Sequence, residues 1–141
     1  MLSKSLLFSL VYACVVLSVS AAPGAAVDPK LLPPPSAKQG MTYAADIQPI
    51  FAQSCYPCHS HKTQKPKGKL FLDSLAAVLK GGEDGPVLVP GKSAKSALVI
   101  QVSHQGDPDG YMPPPKNKAN VGPLTREQIG LIRAWIDQGA K

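Results

Sequence analysis

The sequence predicts a small all-α domain of about four short helices. Three observations carry that expectation. Four stretches in the C-terminal hundred or so residues place apolar side chains at helical spacing, each with start and stop residues of its own. No segment of any length alternates apolar and polar residues as a half-buried strand would, and only Leu70 to Leu72 reads as a short extended piece. Most of the 15 prolines fall between the helical stretches. A chain of 141 residues has room for one modest domain with a tail, which excludes a multidomain enzyme. Hydrophobic residues make up 44% but aromatic residues only 6%, so large core side chains are scarce. Fifteen basic residues against nine acidic ones give a net charge of +6, which favours an acidic partner or surface.

The order of segments follows from local chemistry. Lys4, the apolar run Leu6 to Leu17 and the small residues Ser18 to Ala22 predict a secretory signal peptide over residues 1–21, cleaved after Ala21. The run is broken by Ser9 and is short for a membrane-spanning anchor. Lipidation at Cys14 is disfavoured because Val15, Val16 and Leu17 continue the apolar run beyond it. Residues 22–40, with Pro23, Pro29 and Pro33 to Pro35, read as a Pro-rich flexible linker, extended and semi-rigid. The domain proper is expected over 41–141. Its first helix is expected to be capped by Asp46, with Pro49 in the first turn and its end inside the cysteine motif, where Pro57 cannot continue it.

Asp73 is the expected cap of a second helix, Ser74 to Lys80, stopped by Gly81 and Gly82. Ser93 or Ser96 opens a third, with Leu98, Val99 and Val102 on one face and Gly106 closing it. The last has the clearest code. Thr125 and Gln128 form a capping box, Leu124 and Ile129 a hydrophobic staple, and Ile129, Ile132, Trp135 and Ile136 an apolar stripe ended by Gly139.

Cysteine usage decides the chemistry. Cys14, Cys55 and Cys58 cannot pair off into disulfides, and the first is expected to leave with the signal. The remaining two lie in Cys55-Tyr56-Pro57-Cys58-His59, the C-x-x-C-H signature of covalent c-type haem attachment. Cysteines three apart at a helix end can reach the two vinyl groups of one porphyrin, and the adjacent imidazole of His59 can serve as proximal iron ligand. A zinc site would need a second ligand pair beside His59, His61 and His104 that the chain does not offer. A thioredoxin-like dithiol would want the motif at a helix start after a strand, and here the helix precedes it. A plain disulfide is the remaining alternative in an exported protein.

For the other axial position Met41 lies before the same helix as the motif and is poorly placed, whereas Met112 sits in a loop stiffened by Pro113, Pro114 and Pro115. Met112 is therefore the expected second ligand. His104 is the rival, although a histidine at a helix end is commonly a surface group. His61 is too close to His59 to cross the ring plane, and reads as a solvated loop residue.

With C-x-x-C-H, Tyr111-Met112-Pro113-Pro114 and Trp135-Ile136-Asp137-Gln138-Gly139-Ala140 in place, the chain resembles the planctomycete-type cytochrome c family over about 95 residues, Asp46 to Ala140. Asp46-Ile47-Gln48-Pro49-Ile50-Phe51, Leu72-Asp73-Ser74, Lys80-Gly81-Gly82 and Val89-Pro90-Gly91-Lys92 extend the likeness. One departure is Ser60, where many members carry Gly. The resemblance implies an all-helical cytochrome c fold around one covalent haem c, first and last helices packed together, and His59 and Met112 as axial ligands. It also suggests a proline carbonyl, Pro86 or else Pro90, as acceptor for the other N–H of His59. The expected function is that of an exported, extracytoplasmic one-electron carrier, periplasmic in a bacterium, rather than an enzyme. Lys62, Lys65, Lys67 and Lys69 could form a docking rim for acidic redox proteins, and no nucleic-acid or small-molecule partner is expected. The alternative is a haem enzyme or ligand sensor with an open or labile sixth position.

Overall fold

The computed structural model describes residues 27–141, so the expected signal segment and Cys14 lie outside the described residues. Four α-helices form the frame: α1 Gln48–Ser54, α2 Leu75–Lys80, α3 Ala97–Val102 and α4 Arg126–Asp137. Among the described residues there is no strand, only an isolated bridge between Gly82 and Gly85. The domain is all-α.

A π-helical turn, Tyr43–Ile47, leads directly into α1. Its cap is Thr42 rather than the expected Asp46: Thr42 Oγ1 accepts from Ala45 N, while the Asp46 carboxylate accepts from Thr42 N and pairs with Lys38. The Thr42 hydroxyl thus caps Ala45 N while the Asp46 carboxylate reaches back to Thr42 N, one helical turn upstream of the start that Asp46 alone suggests. The cap of α2 also moves by one residue. Ser74 Oγ accepts from Ala77 N, and Asp73 turns away to bind His61. Before α3 a short 3-10 turn, Ser93–Lys95, changes the chain direction, and Ser96 flanks the helix without a side-chain cap because its hydroxyl donates to Lys92 O and accepts from Val89 N. Helix α4 has the capping box in full, Thr125 Oγ1 to Gln128 N at 3.1 Å and Gln128 Oε1 to Thr125 N at 2.9 Å.

The core gathers where the first helical turn meets α4. Tyr43 stands 6.1 Å from Trp135 and 6.2 Å from Phe51, ring centre to ring centre. Ile47, Phe51, Val78, Val99, Ile132, Trp135 and Ile136 are fully buried around them. Three of the chain's few aromatic side chains therefore serve one spot, which is an effective use of a scarce resource.

Residues Leu32 to Gln39, within the stretch read as a Pro-rich flexible linker, pack against the domain. They lie along α4 as a strap. Leu32 and Pro33 are buried, Ser36 N donates to Gly130 O, and Gln138 Nε2 donates to Lys38 O. Arg133, 8% exposed, donates to Pro33 O and to Ser93 Oγ, and Ser93 in turn is held by Asp137. Gly130 makes this approach possible, since a Cβ there would stand 2.8 Å from Pro34 O. The strap covers the face of α4 turned away from the apolar stripe, so the helix is buried on both sides.

Candidate haem-binding site

Helix α1 ends at Ser54, and the cysteine motif forms the turn that follows. Cys55 N still donates to Phe51 O, but Pro57 has no N–H with which to prolong the helix, and Cys58 N and His59 N both return to Cys55 O at 3.1 and 2.9 Å. The chain then doubles back. Lys67 N donates to Cys58 O, and Leu72 N donates to His59 O at 2.8 Å, so residues 70–72 lie beside the motif. Tyr43 fixes that returning segment from below by donating its hydroxyl to Leu72 O at 2.7 Å. Burial, assisted by the hydrogen bond with Tyr56, pushes the Tyr43 phenol far up, so it remains a donor across the ordinary pH range.

The same doubling back orients His59. Its Nδ1 lies 3.3 Å from Leu70 O and donates to it, which leaves the Nε2 lone pair for a metal. This corrects the expectation of a proline acceptor. Pro86 and Pro90 are exposed beyond α2, while the bond between Leu72 and His59 brings the Leu70 carbonyl to the imidazole. Burial lowers the His59 pKa, partly opposed by the Leu70 and Lys67 carbonyls, and so favours the neutral ring that binds metals.

An apolar cleft, partly open to solvent, lies against this turn. Three stretches of chain line it: the motif and its return with Cys55, Cys58, His59, Leu70 and Leu72; α3 with Leu98, Gln101 and Val102; and the loop after α3 with Met112, Pro113, Asn117 and Val121. Both motif cysteines and both expected iron ligands thus line one apolar cleft. Cys55 is buried, and that burial, with the neighbouring Cys58, pushes its thiol up to about 12. No disulfide joins the two cysteines. Among the described residues no three His, Cys, Asp or Glu side chains converge as a zinc site would require. The donor set and the apolar lining fit a covalently held haem.

The loop that carries Met112 is anchored at both ends. Met112 N donates to Gln101 O at the end of α3, and the Met112–Pro113 peptide is cis. Asn117 ties the distal part by side-chain bonds to Pro114 and Val121. Met41 is a core residue whose N–H donates to Gln138 Oε1, away from the cleft. His104 is no free surface group. Its ring stacks on Tyr111 with centres 4.7 Å apart, its Nε2 is buried, and it does not line the cleft. His61 is exposed, stacked on Phe71 and bound to Asp73 at 2.7 Å. Ser60 is buried, and its hydroxyl pairs with Thr63 while its carbonyl accepts Thr63 N, so a serine closes the turn after His59. Leu70, Gln101 and Asn117 escaped the sequence reading. A backbone carbonyl leaves no sequence signal; Gln101 is carried to the cleft by α3, and Asn117 by the path of the loop.

Fold and site together define a small helical domain with a c-type attachment turn opening on an apolar cleft. The family model for Planctomycete cytochrome C matches residues 55–116, from the first cysteine of the motif through the loop that holds Met112. That stretch is similar to the planctomycete-type cytochrome c family, a likeness that suggests a haem-binding cytochrome. No curated protein and no solved structure gives a significant match.

Proposed function

We propose that the chain is an exported monohaem c-type cytochrome that carries single electrons, with thioether links at Cys55 and Cys58 and with His59 and Met112 as axial ligands. The observation that carries this reading is the convergence of those four side chains on one apolar cleft. Haem c supplies the one-electron iron couple when bound. The protein's own residues do the rest. The Leu70 carbonyl holds the His59 ring in one tautomer and raises its basicity. Leu72, Leu98 and Val102 exclude water from the cleft, and the open side gives electrons a short path to a docked partner. Lys62, Lys65, Lys67 and Lys69 are exposed on the loop that follows the motif, which supports docking to acidic redox proteins. The predicted signal segment supports an extracytoplasmic location, where haem c is attached.

The test is spectroscopic. The oxidised protein should show the weak far-red sulfur-to-iron charge-transfer band, lose it in Met112→Ala, and titrate as a reversible one-electron couple. Absence of the band from the wild type, with carbon monoxide binding readily to the reduced form, would instead identify a ligand sensor or haem enzyme with an open sixth position.

A further inference from the structure

We infer that Asn117 is a positioning residue for Met112: its side-chain amide holds shut the loop that presents the methionine to the cleft. The inference rests on the reading of Met112 as axial ligand. Pro113, Pro114 and Pro115 follow Met112 directly and have no N–H, so this stretch cannot secure itself by backbone donors. From Met112 to Leu124 only two backbone N–H groups find backbone partners, Met112 with Gln101 O and Asn120 with Asn117 O. Asn117 supplies what is missing. Its Nδ2 donates to Pro114 O at 2.9 Å and to Val121 O at 2.8 Å, and its Oδ1 accepts from Val121 N at 3.0 Å. Both amide hydrogens and the oxygen are thereby used, which fixes the side chain in one orientation. The residue lines the same cleft as Met112, Pro114 and Val121. The loop is therefore clamped at two points, Met112 against Gln101 O upstream and Pro114 against Val121 downstream, with the methionine at the edge of the span Asn117 controls.

A sulfur ligand held by its loop stays on the metal only as long as the loop stays closed. Three hydrogen bonds to one side chain set how often it opens. Its neighbour Lys118 has no such part: it is exposed and its side chain makes no hydrogen bond or ion pair among the described residues.

The experiment compares wild type, Asn117→Ala, Asn117→Asp and Lys118→Ala as exported, haem-loaded proteins. Three readouts are taken: the charge-transfer band of the oxidised form, carbon monoxide affinity of the reduced form, and helix content by circular dichroism. Asn117→Ala should weaken the band and bind carbon monoxide roughly tenfold more tightly or better, because two or more bonds of ordinary strength no longer oppose loop opening. Asn117→Asp keeps the acceptor for Val121 N and loses both donors, so it should fall in between. Lys118→Ala should match wild type, and helix content should be the same in all four. An Asn117→Ala protein with the wild-type band and carbon monoxide affinity would overturn the inference. So would failure of both Asn117 variants to fold and load haem, which would mark a general structural role. A wild type that lacks the band overturns the ligand reading itself, an outcome distinct from both.

Discussion

His59 illustrates how far a single residue can be read in advance. Its place beside Cys58 makes it the expected proximal ligand, and the structure aims it into the cleft with one nitrogen already engaged by Leu70 O. The partner itself was not legible, because a carbonyl acceptor is chosen by the path of the chain and every residue has one. The two aspartates read as helix caps show the same limit. Lys38 and the Thr42 N–H hold the Asp46 carboxyl below the usual range, and Asp73 is also held low, its burial outweighed by hydrogen bonds from His61. Each is deprotonated more readily folded than unfolded. Their stabilisation is therefore present above the unfolded value near 3.9 and fades as the pH falls through the lower folded values. Asp46→Asn should lower the urea midpoint at neutral pH, with the gap to wild type closing below about pH 4. A gap that persists unchanged into acid would show that charge at Asp46 is not what matters.

Among the elements, α4 was almost wholly legible, because its capping box, staple and stripe are local in sequence: the structure has the capping box in full and buries Leu124, Ile129 and the rest of the stripe. Its second buried face was not. Arg133, Gly130 and Gln138 are buried or engaged by a strap about a hundred residues upstream, whose prolines read as linker chemistry. Composition detects that such a segment cannot be a helix, but not that Leu32 has a place to dock. Gly130→Ala separates the two influences on α4. Helix propensity alone would make alanine about 1 kcal/mol better, whereas the new methyl would press on the Pro34 carbonyl. Overpacking against backbone costs about 1–3 kcal/mol, so the variant should be net destabilised by about 1 kcal/mol, read as a lower denaturation midpoint. Thr125→Ala should cost about 1 kcal/mol by loss of the cap alone. A stabilised Gly130→Ala protein would mean that the strap lifts from α4 at no cost.

For the molecule as a whole, the early puzzle was how a chain with so few aromatic residues builds a core. Part of the answer is the cluster of Tyr43, Phe51 and Trp135 on one side of the domain, and the other part is a cleft lined by Leu70, Leu72, Leu98 and Val102 that a flat apolar cofactor would fill. Charge matters at the same scale. If the lysines after the motif steer docking, electron exchange with an acidic redox protein should slow as ionic strength rises, and Lys62→Glu with Lys65→Glu should slow it at low salt. A salt-independent rate would remove the docking role.

The attachment itself is tested most directly by the intact mass of the exported protein together with peptide mapping of the motif. The expected result is one haem per chain, added in full through Cys55 and Cys58, and no alkylatable thiol in the peptide from Cys55 to His59. A mass without the haem increment, with two free thiols in that peptide, would contradict it.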